Sequence, residues 1–481
     1  MKYYKMNKQY ITGLILCISL AVTGCKKWDD HIAITQPDLN LNLLQAILAN
    51  PDLSKFREYA GLAGLDSLLQ SSKTFTVWAP TNAALQTIDP STVADKIKLK
   101  AFILNHISYQ QYFTKDVAVP LRIQMLSGKY NTFSTSKFDE ASLTTTDKYV
   151  GNGVLHTINA IVPPLQNIDE FINATTAQYA QNAFMVSLNY SFFDATRATI
   201  DSISLVTGLP VYHAGTGIVT RNQFADRVYD LKREDRQYTY FLMQDANFTL
   251  EADSLKSYFN TGTTTTDFYT RVNVVKDLAY DTAYKTFAAM PQTLVSKSGI
   301  NVAVNNAFVV DIKKMSNGYI YVLSKLDVPT KNKFLPITLQ GENPTGFLQN
   351  DKRAFINFRD RLNAVTSTNF SDIWISGHGI TTFYSYYSVN EMPSMKYQVY
   401  AKATNDIQGA FSQTIVAWST TLGAVQGSLT HAVPLFNVAG AYDEKYLGDI
   451  TITQFGKIDW RLTAITTGPV LLDYLRLVPL P

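Results

Sequence analysis

The residues best suited to chemistry in this chain are aromatic. Trp374, Tyr384, Tyr386, Tyr387 and Trp418 gather in its last third, and flat rings of this kind stack on the apolar face of a sugar while a neighbouring Asn, Asp or Arg reads its hydroxyls. These five are the candidate glycan-binding residues. Tyr384-Ser385-Tyr386 predicts two rings on one face of a strand. The alternative is that rings fill the core, the expected place for Trp460 between Ile458 and Leu462. Acid–base and metal chemistry find little footing. The six histidines (His31, His106, His156, His213, His378, His431) are isolated, with no HExxH and no pair at i,i+4, so neither metal nor cofactor is expected. There is no GxSxG elbow, P-loop or GxGxxG, and Gly215-Thr216-Gly217 is too short to cradle a phosphate. Glycoside hydrolysis needs two carboxylates at a set separation. Asp372, Glu391, Asp443, Glu444, Asp459 and Asp473 are available, and most are expected to be solvated loop residues. No enzyme is predicted.

Composition sets the frame. At 481 residues, 46% hydrophobic and 17% charged, the chain is too long for a single core and should divide into several domains. Lys2, Lys5 and Lys8 precede an apolar run from Ile11 to Val22, too short to span a bilayer, and Val22-Thr23-Gly24-Cys25 follows. This segment resembles the lipobox of bacterial lipoproteins. The resemblance implies that residues 1–24 are removed and that Cys25 carries lipid. Losing three lysines and no acid brings the 42 basic residues level with the 39 acidic ones, so no nucleic-acid partner is expected. The other cysteine, Cys17, would leave with the leader, and no disulfide is predicted. Lys26-Lys27-Trp28-Asp29-Asp30 opens a tether over 25–36. Its acidic pair resembles an export signal of outer-membrane lipoproteins, implying a location on the outer membrane facing the cell exterior, with a periplasmic face as the alternative.

The chain repeats itself. Phe75-Thr76-Val77-Trp78-Ala79-Pro80-Thr81-Asn82-Ala83-Ala84-Leu85 aligns without a gap with Tyr238–Phe248, and Asn152–Pro164 aligns with Asn317–Pro329 at nearly the same offset. In the first copy Phe75, Val77 and Ala79 alternate as in a strand, Pro80 ends it, and Thr81 or Asn82 can cap a helix starting at Ala83. Asp95 to Tyr109 reads as another helix, and Asn152-Gly153 turns into a strand that Pro163-Pro164 closes. The motifs around Pro80, Thr81 and Asn82, Leu104-Asn105-His106 and Asn152-Gly153-Val154-Leu155-His156 resemble those of a fasciclin domain over 37–165. A degenerate second copy spans 166–330, where Asp277 replaces His106 and Tyr321 replaces His156. The resemblance implies an α+β fold and cell adhesion. His106 and His156 would either shape an adhesive surface or lock the backbone. The stretches Leu209–Gln223 and Thr263–Thr266 read as loops.

Residues 331–481 differ. Tyr397 to Ala403 and Ile458 to Ala464 alternate with period two, and Ile450 to Ile452 and Leu471 to Val478 add further strands. An all-β antiparallel sandwich is predicted. The ending Leu472–Pro479 resembles the last strand of galactose-binding-like jelly rolls, which implies carbohydrate binding. The expectation is therefore tandem α+β fasciclin-like domains and a jelly-roll-like sandwich in a non-catalytic surface lipoprotein. It would be held to the membrane by lipid and serve adhesion or polysaccharide capture, with outer-membrane importer proteins as possible neighbours. A structural protein-binding subunit and a glycan-active enzyme are the alternatives.

Overall fold

A computed structural model describes residues 37–481 apart from 327, 364 and 436–441. The leader, Cys25 and the tether lie outside the described residues. The chain divides into two compact units. One ends at Asn167 and takes in Arg233–Arg236; the other comprises Ile168–Lys232 and Gln237–Pro481.

In the first unit, strand β1 (Phe75–Pro80) pairs antiparallel with β2 (Ile107–Tyr109) and parallel with β3 (Gly153–Ile158). Four further antiparallel strands, from Leu121–Gln124 to Ala141–Val150, extend the sheet beyond β3. All six residues of β1 are buried because both faces are covered. Phe75, Val77 and Ala79 join Phe56, Phe102 and other helical residues in one core, while Trp78 joins Phe133, Phe138 and Ile158 in another. Asn42 and Gln45 form a reciprocal cap on the helix Leu43–Leu48. The helix predicted over Asp95–Tyr109 is shorter, Lys96–Leu104. Beyond it the chain is needed as β2 to pair the free edge of β1, where Ile107 is buried and β-branched.

The second unit begins with a sheet in the order β5-β4-β6 followed by Val309–Met315, with β4 Tyr238–Met243, β5 Ala279–Tyr280 and β6 Gly318–Leu323. β4 runs parallel to β6 and antiparallel to β5, the arrangement of β1 with β3 and β2. Gly153 and Gly318 hold equivalent places: a Cβ on either would collide with the carbonyl oxygen of Phe75 or Tyr238. Leu209–Gln223, expected as a loop, is largely strand. Pro210–Tyr212 pairs with Ile200–Ile203, and Ile218–Asn222 pairs with Asn189–Phe193, giving a two-stranded ribbon. Ile218, Val219 and Thr220 supply β-branched side chains that outweigh the preceding glycines. Thr266, expected in a loop, starts the helix Thr266–Val275.

The rest of the second unit is a β-sandwich. Strands β7 (Gly346–Phe347), β8 (Tyr384–Met392), β9 (Phe411–Ser419), β10 (Ala424–Val433) and β11 (Gly456–Ala464) form an antiparallel sheet in the order β7-β8-β11-β9-β10. A four-stranded sheet (Ile337–Gln340, Lys396–Lys402, Lys445–Thr451, Tyr474–Leu480) and a three-stranded one (Ile356–Leu362, Asn369–Ile375, Val470–Leu472) complete it. One core draws on all three sheets: Ile415, Ile458, Trp460 and Leu462 meet Tyr397, Val399, Leu475 and Leu477, with Ile373 and Ile375. The described fold is thus α+β followed by an antiparallel sandwich.

Candidate functional site

The first-domain motif residues spend their polar groups on the domain's own backbone. Pro80 closes β1 and Thr81 N–H donates to Ile158 O. Of the two candidate caps, Thr81 serves, its Oγ1 accepting from Ala84 N–H at 3.3 Å at the start of the short 3-10 helix Ala84–Thr87, and Asn82 does not. Its Oδ1 accepts from Lys55 N–H at 2.9 Å and its Nδ2 donates to Pro51 O at 2.9 Å, so it fastens the start of the helix Ser54–Leu62. Asn152 Oδ1 accepts from Leu43 N–H at 2.7 Å, and its Nδ2 donates to Leu69 O and Ser71 O. His106 is fully buried. Its Nδ1 donates to Phe102 O at 2.9 Å and its Nε2 accepts from Val162 N–H at 3.2 Å, a pattern only the neutral ring satisfies. Burial pushes its pKa down to about 4. His156 stacks on Trp78 with rings 11° from parallel. Its Nε2 donates to Tyr112 O at 2.9 Å while Nδ1 accepts from Asp147 N–H at 3.3 Å, and burial lowers its pKa as well. Neither imidazole has a nitrogen left for a ligand.

The sheet around β4 shows a similar framework with different side chains. Asn317 Oδ1 accepts from Ile168 N–H and its Nδ2 donates to Leu231 O, as Asn152 does with Leu43 and Leu69. Thr76 Oγ1 bridges Gln110 O and Tyr112 N–H, and Thr239 Oγ1 bridges Thr282 O and Tyr284 N–H. Tyr321 Oη donates to Tyr284 O at 2.8 Å, the task His156 performs at Tyr112. Asp277, in place of His106, accepts from Ser296 Oγ at 2.7 Å and faces buried Lys333 Nζ at 3.2 Å. An ion pair has replaced an imidazole.

The aromatic candidates separate by strand parity. Tyr387 points into the core, where its hydroxyl donates to Gly341 O at 2.8 Å. It is therefore withdrawn from the ligand-binding set. Trp374 belongs to the three-stranded sheet, packs on Ala403, Val433 and Leu471, and lies under the Arg359 guanidinium. Tyr384, Tyr386 and Trp418 share the outer face of the five-stranded sheet, all partly exposed. The two tyrosine rings meet edge to face at 6.3 Å. Between Tyr384 and Trp418 lies Arg461 of β11, its guanidinium carbon 4.1 Å from the Trp418 ring centre and 4.7 Å from that of Tyr384. Tyr386 sits across Gly346 of β7, where a Cβ would strike its hydroxyl and ring edge. Asp459 shares the face and accepts from Ser388 Oγ at 2.6 Å. Arg461 was not anticipated, although Asp459, Arg461 and Thr463 are the polar positions of an alternating strand whose apolar ones, Ile458, Trp460 and Leu462, are buried.

The sandwich carboxylates are mostly engaged, and Asp372, Asp459 and Asp473, against the expectation of solvated loops, are buried, the first two on strands. Asp372 accepts from two nitrogens of Arg359 at 2.7 and 2.6 Å. Asp473 lies 3.0 Å from Lys402 Nζ, Glu391 pairs with Arg227 at 2.9 Å, and Glu444 takes a forked pair from Arg476. Among the described residues no group of three or more His, Cys, Asp or Glu is placed to hold a metal ion. A polar cleft of about 370 Å³ lies in the second domain, lined by Asp169, Asn173, Arg221, Asp226, Asp230 and Lys232 among others. Arg221 is paired with Asp226 there.

Among solved structures, the chain is similar to a FAS1 domain pair from the insect cell adhesion molecule Fasciclin I, at 14% identity over 60% of this chain and 100% of that one, with a TM-score of 0.24. It is also similar to a family 35 carbohydrate binding module from Clostridium thermocellum (13% identity, 31% of this chain, 100% of that one, TM-score 0.22). A third is a carbohydrate binding module from Cellvibrio mixtus lichenase 5A in complex with cellotriose (13% identity, 30% and 98%, TM-score 0.22). No curated protein matches the chain. Within the first unit, residues 51–164 match the Fasciclin domain, so that this part of the chain is Fasciclin-like.

Proposed function

We propose that this protein is a non-catalytic, lipid-anchored surface protein that binds glycan on the outer face of its C-terminal sandwich. The observation that carries this reading is the partly exposed row of Tyr384, Tyr386 and Trp418 around Arg461 on a rigid five-stranded sheet. Rings and a planar cation fixed on neighbouring strands offer stacking surface and directional donors without loop ordering on binding. The Fasciclin domain supplies an adhesion-type framework, and we read the shared framework of Asn152/Asn317 and Thr76/Thr239 as the mark of a duplication. Anchoring rests on Val22-Thr23-Gly24-Cys25 and the outer-membrane location on the acidic pair of Lys26-Lys27-Trp28-Asp29-Asp30, and service to a glycan importer is the context these features suit. On immobilised polysaccharides the full chain in detergent should be retained, and Trp418→Ala or Tyr386→Ala should lose that retention with the fold intact. Unchanged retention in both variants refutes the site. Palmitate labelling of cells, abolished by Cys25→Ser, tests the anchor.

A second reading, a protein-binding subunit, is favoured by one feature. The ribbon tip exposes Leu205, Val206 and Leu209, the first two almost completely. A stable co-purifying protein lost on replacing the tip, with no glycan retention, would decide for it.

A further inference from the structure

We infer that the sandwich face selects glycans carrying an anionic group, a carboxylate or a sulfate ester, and that Arg461 is the residue that binds it. This rests on the glycan-binding reading and narrows it. Arg359, Arg361 and Arg476 of the sandwich each have a carboxylate within ion-pair distance. Arg461 has none among the described residues. Asp459 is engaged with Ser388 and makes no ion pair with it. The Arg461 Nε is shielded from solvent with no acceptor among the described residues, and neither Nη group has a hydrogen bond or ion pair among them. The Trp418 and Tyr384 ring centres lie 4.1 and 4.7 Å from the guanidinium carbon, on the strands either side of it, and its N–H donors are the groups we assign to a ligand. Those donors match two oxygens of a carboxylate or sulfate in a forked hydrogen bond. The same stacking changes the part played by Trp418. With a guanidinium against its ring, Trp418 positions a cation, and Tyr386 is the ring left to meet the sugar body. A neutral polymer would leave the Arg461 donors without the strong acceptor they are held to receive.

The test uses the full chain in detergent on affinity gels containing polygalacturonate, its carboxyl-reduced counterpart, a sulfated galactan and a neutral β-glucan. Wild-type protein should be retarded at least about tenfold more strongly by an anionic polymer than by its neutral counterpart, and Arg461→Gln should erase that difference. Arg461→Lys keeps the charge without the fork, so it should recover only part of it. Preference for polygalacturonate over the sulfated polymer identifies the carboxylate as the group bound, and the reverse identifies the sulfate. Equal retardation by anionic and neutral polymers, or an anionic preference that survives in Arg461→Gln, overturns the inference while leaving glycan binding in place. Absence of retardation on every polymer overturns glycan binding itself. Should Arg461→Gln not fold, the wild-type comparison of polygalacturonate with its carboxyl-reduced form still decides.

Discussion

His106 shows what a buried imidazole costs and supplies. Both ring nitrogens are committed to backbone groups of Phe102 and Val162, so the folded domain needs the neutral ring. The folded pKa of about 4 lies below the 6.5 of the free side chain. Between those values the unfolded chain binds the proton and the native one does not, so stability falls as pH drops from 6.5 towards 4 and is fully present above that window. Denaturant midpoints of the first unit should therefore decline from pH 7 to pH 5. His106→Ala should remove its share of that decline and cost roughly 3 kcal/mol at pH 7, since two buried backbone groups lose partners. A midpoint in the variant that matches wild type at both pH values would show the ring to be dispensable. Asp277 meets the same local demand by another route. A buried ion pair with Lys333 needs both partners, because one left alone is an uncompensated charge.

At the scale of elements, β7 is only two residues long, yet it decides where Tyr386 lies. Gly346→Ala should push the Tyr386 ring off its seat, lowering glycan retention several-fold at nearly unchanged melting temperature. Equal retention would mean that Tyr386 takes no part. Much at this scale was legible in the sequence, because period-two alternation marks the strand Lys396–Lys402 and β11, and the paired Asn-Gly motifs mark β3 and β6. Three things were not. The Asn189–Asn222 ribbon hides behind Gly215 and Gly217, since a two-stranded ribbon exposes nearly all its residues and lacks the apolar alternation that betrays a half-buried strand. The division of Tyr386 from Tyr387 depends on register, and one position reverses the face. Arg461 was invisible as a site residue because a single arginine between apolar neighbours carries no motif; only its meeting with Tyr384 and Trp418 across strands gives it meaning.

At the scale of the whole molecule, the sheet around β1 and the sheet around β4 share a backbone arrangement under different polar side chains. Asn152 and Asn317 each accept from one backbone N–H and donate to a backbone carbonyl, and His156 and Tyr321 each donate to a backbone carbonyl, so the same hydrogen-bonding geometry is met by more than one chemistry. The ribbon is the opposite kind of feature. Among the described residues its tip bonds only to itself, Ser204 N–H to Leu209 O and Gly208 N–H to Ser204 O, and Leu205 and Val206 are almost fully exposed. Brief digestion with a protease that accepts aliphatic residues should open the chain first at Leu205–Val206. The two pieces should migrate together on a native gel and part only in SDS, because both flanks of the cut remain paired from Asn189–Phe193 to Ile218–Asn222. A first cut elsewhere would contradict this. The molecule thus carries a natural insertion point, where a fluorophore-bearing peptide could be spliced in without breaking any strand pairing that the cores require.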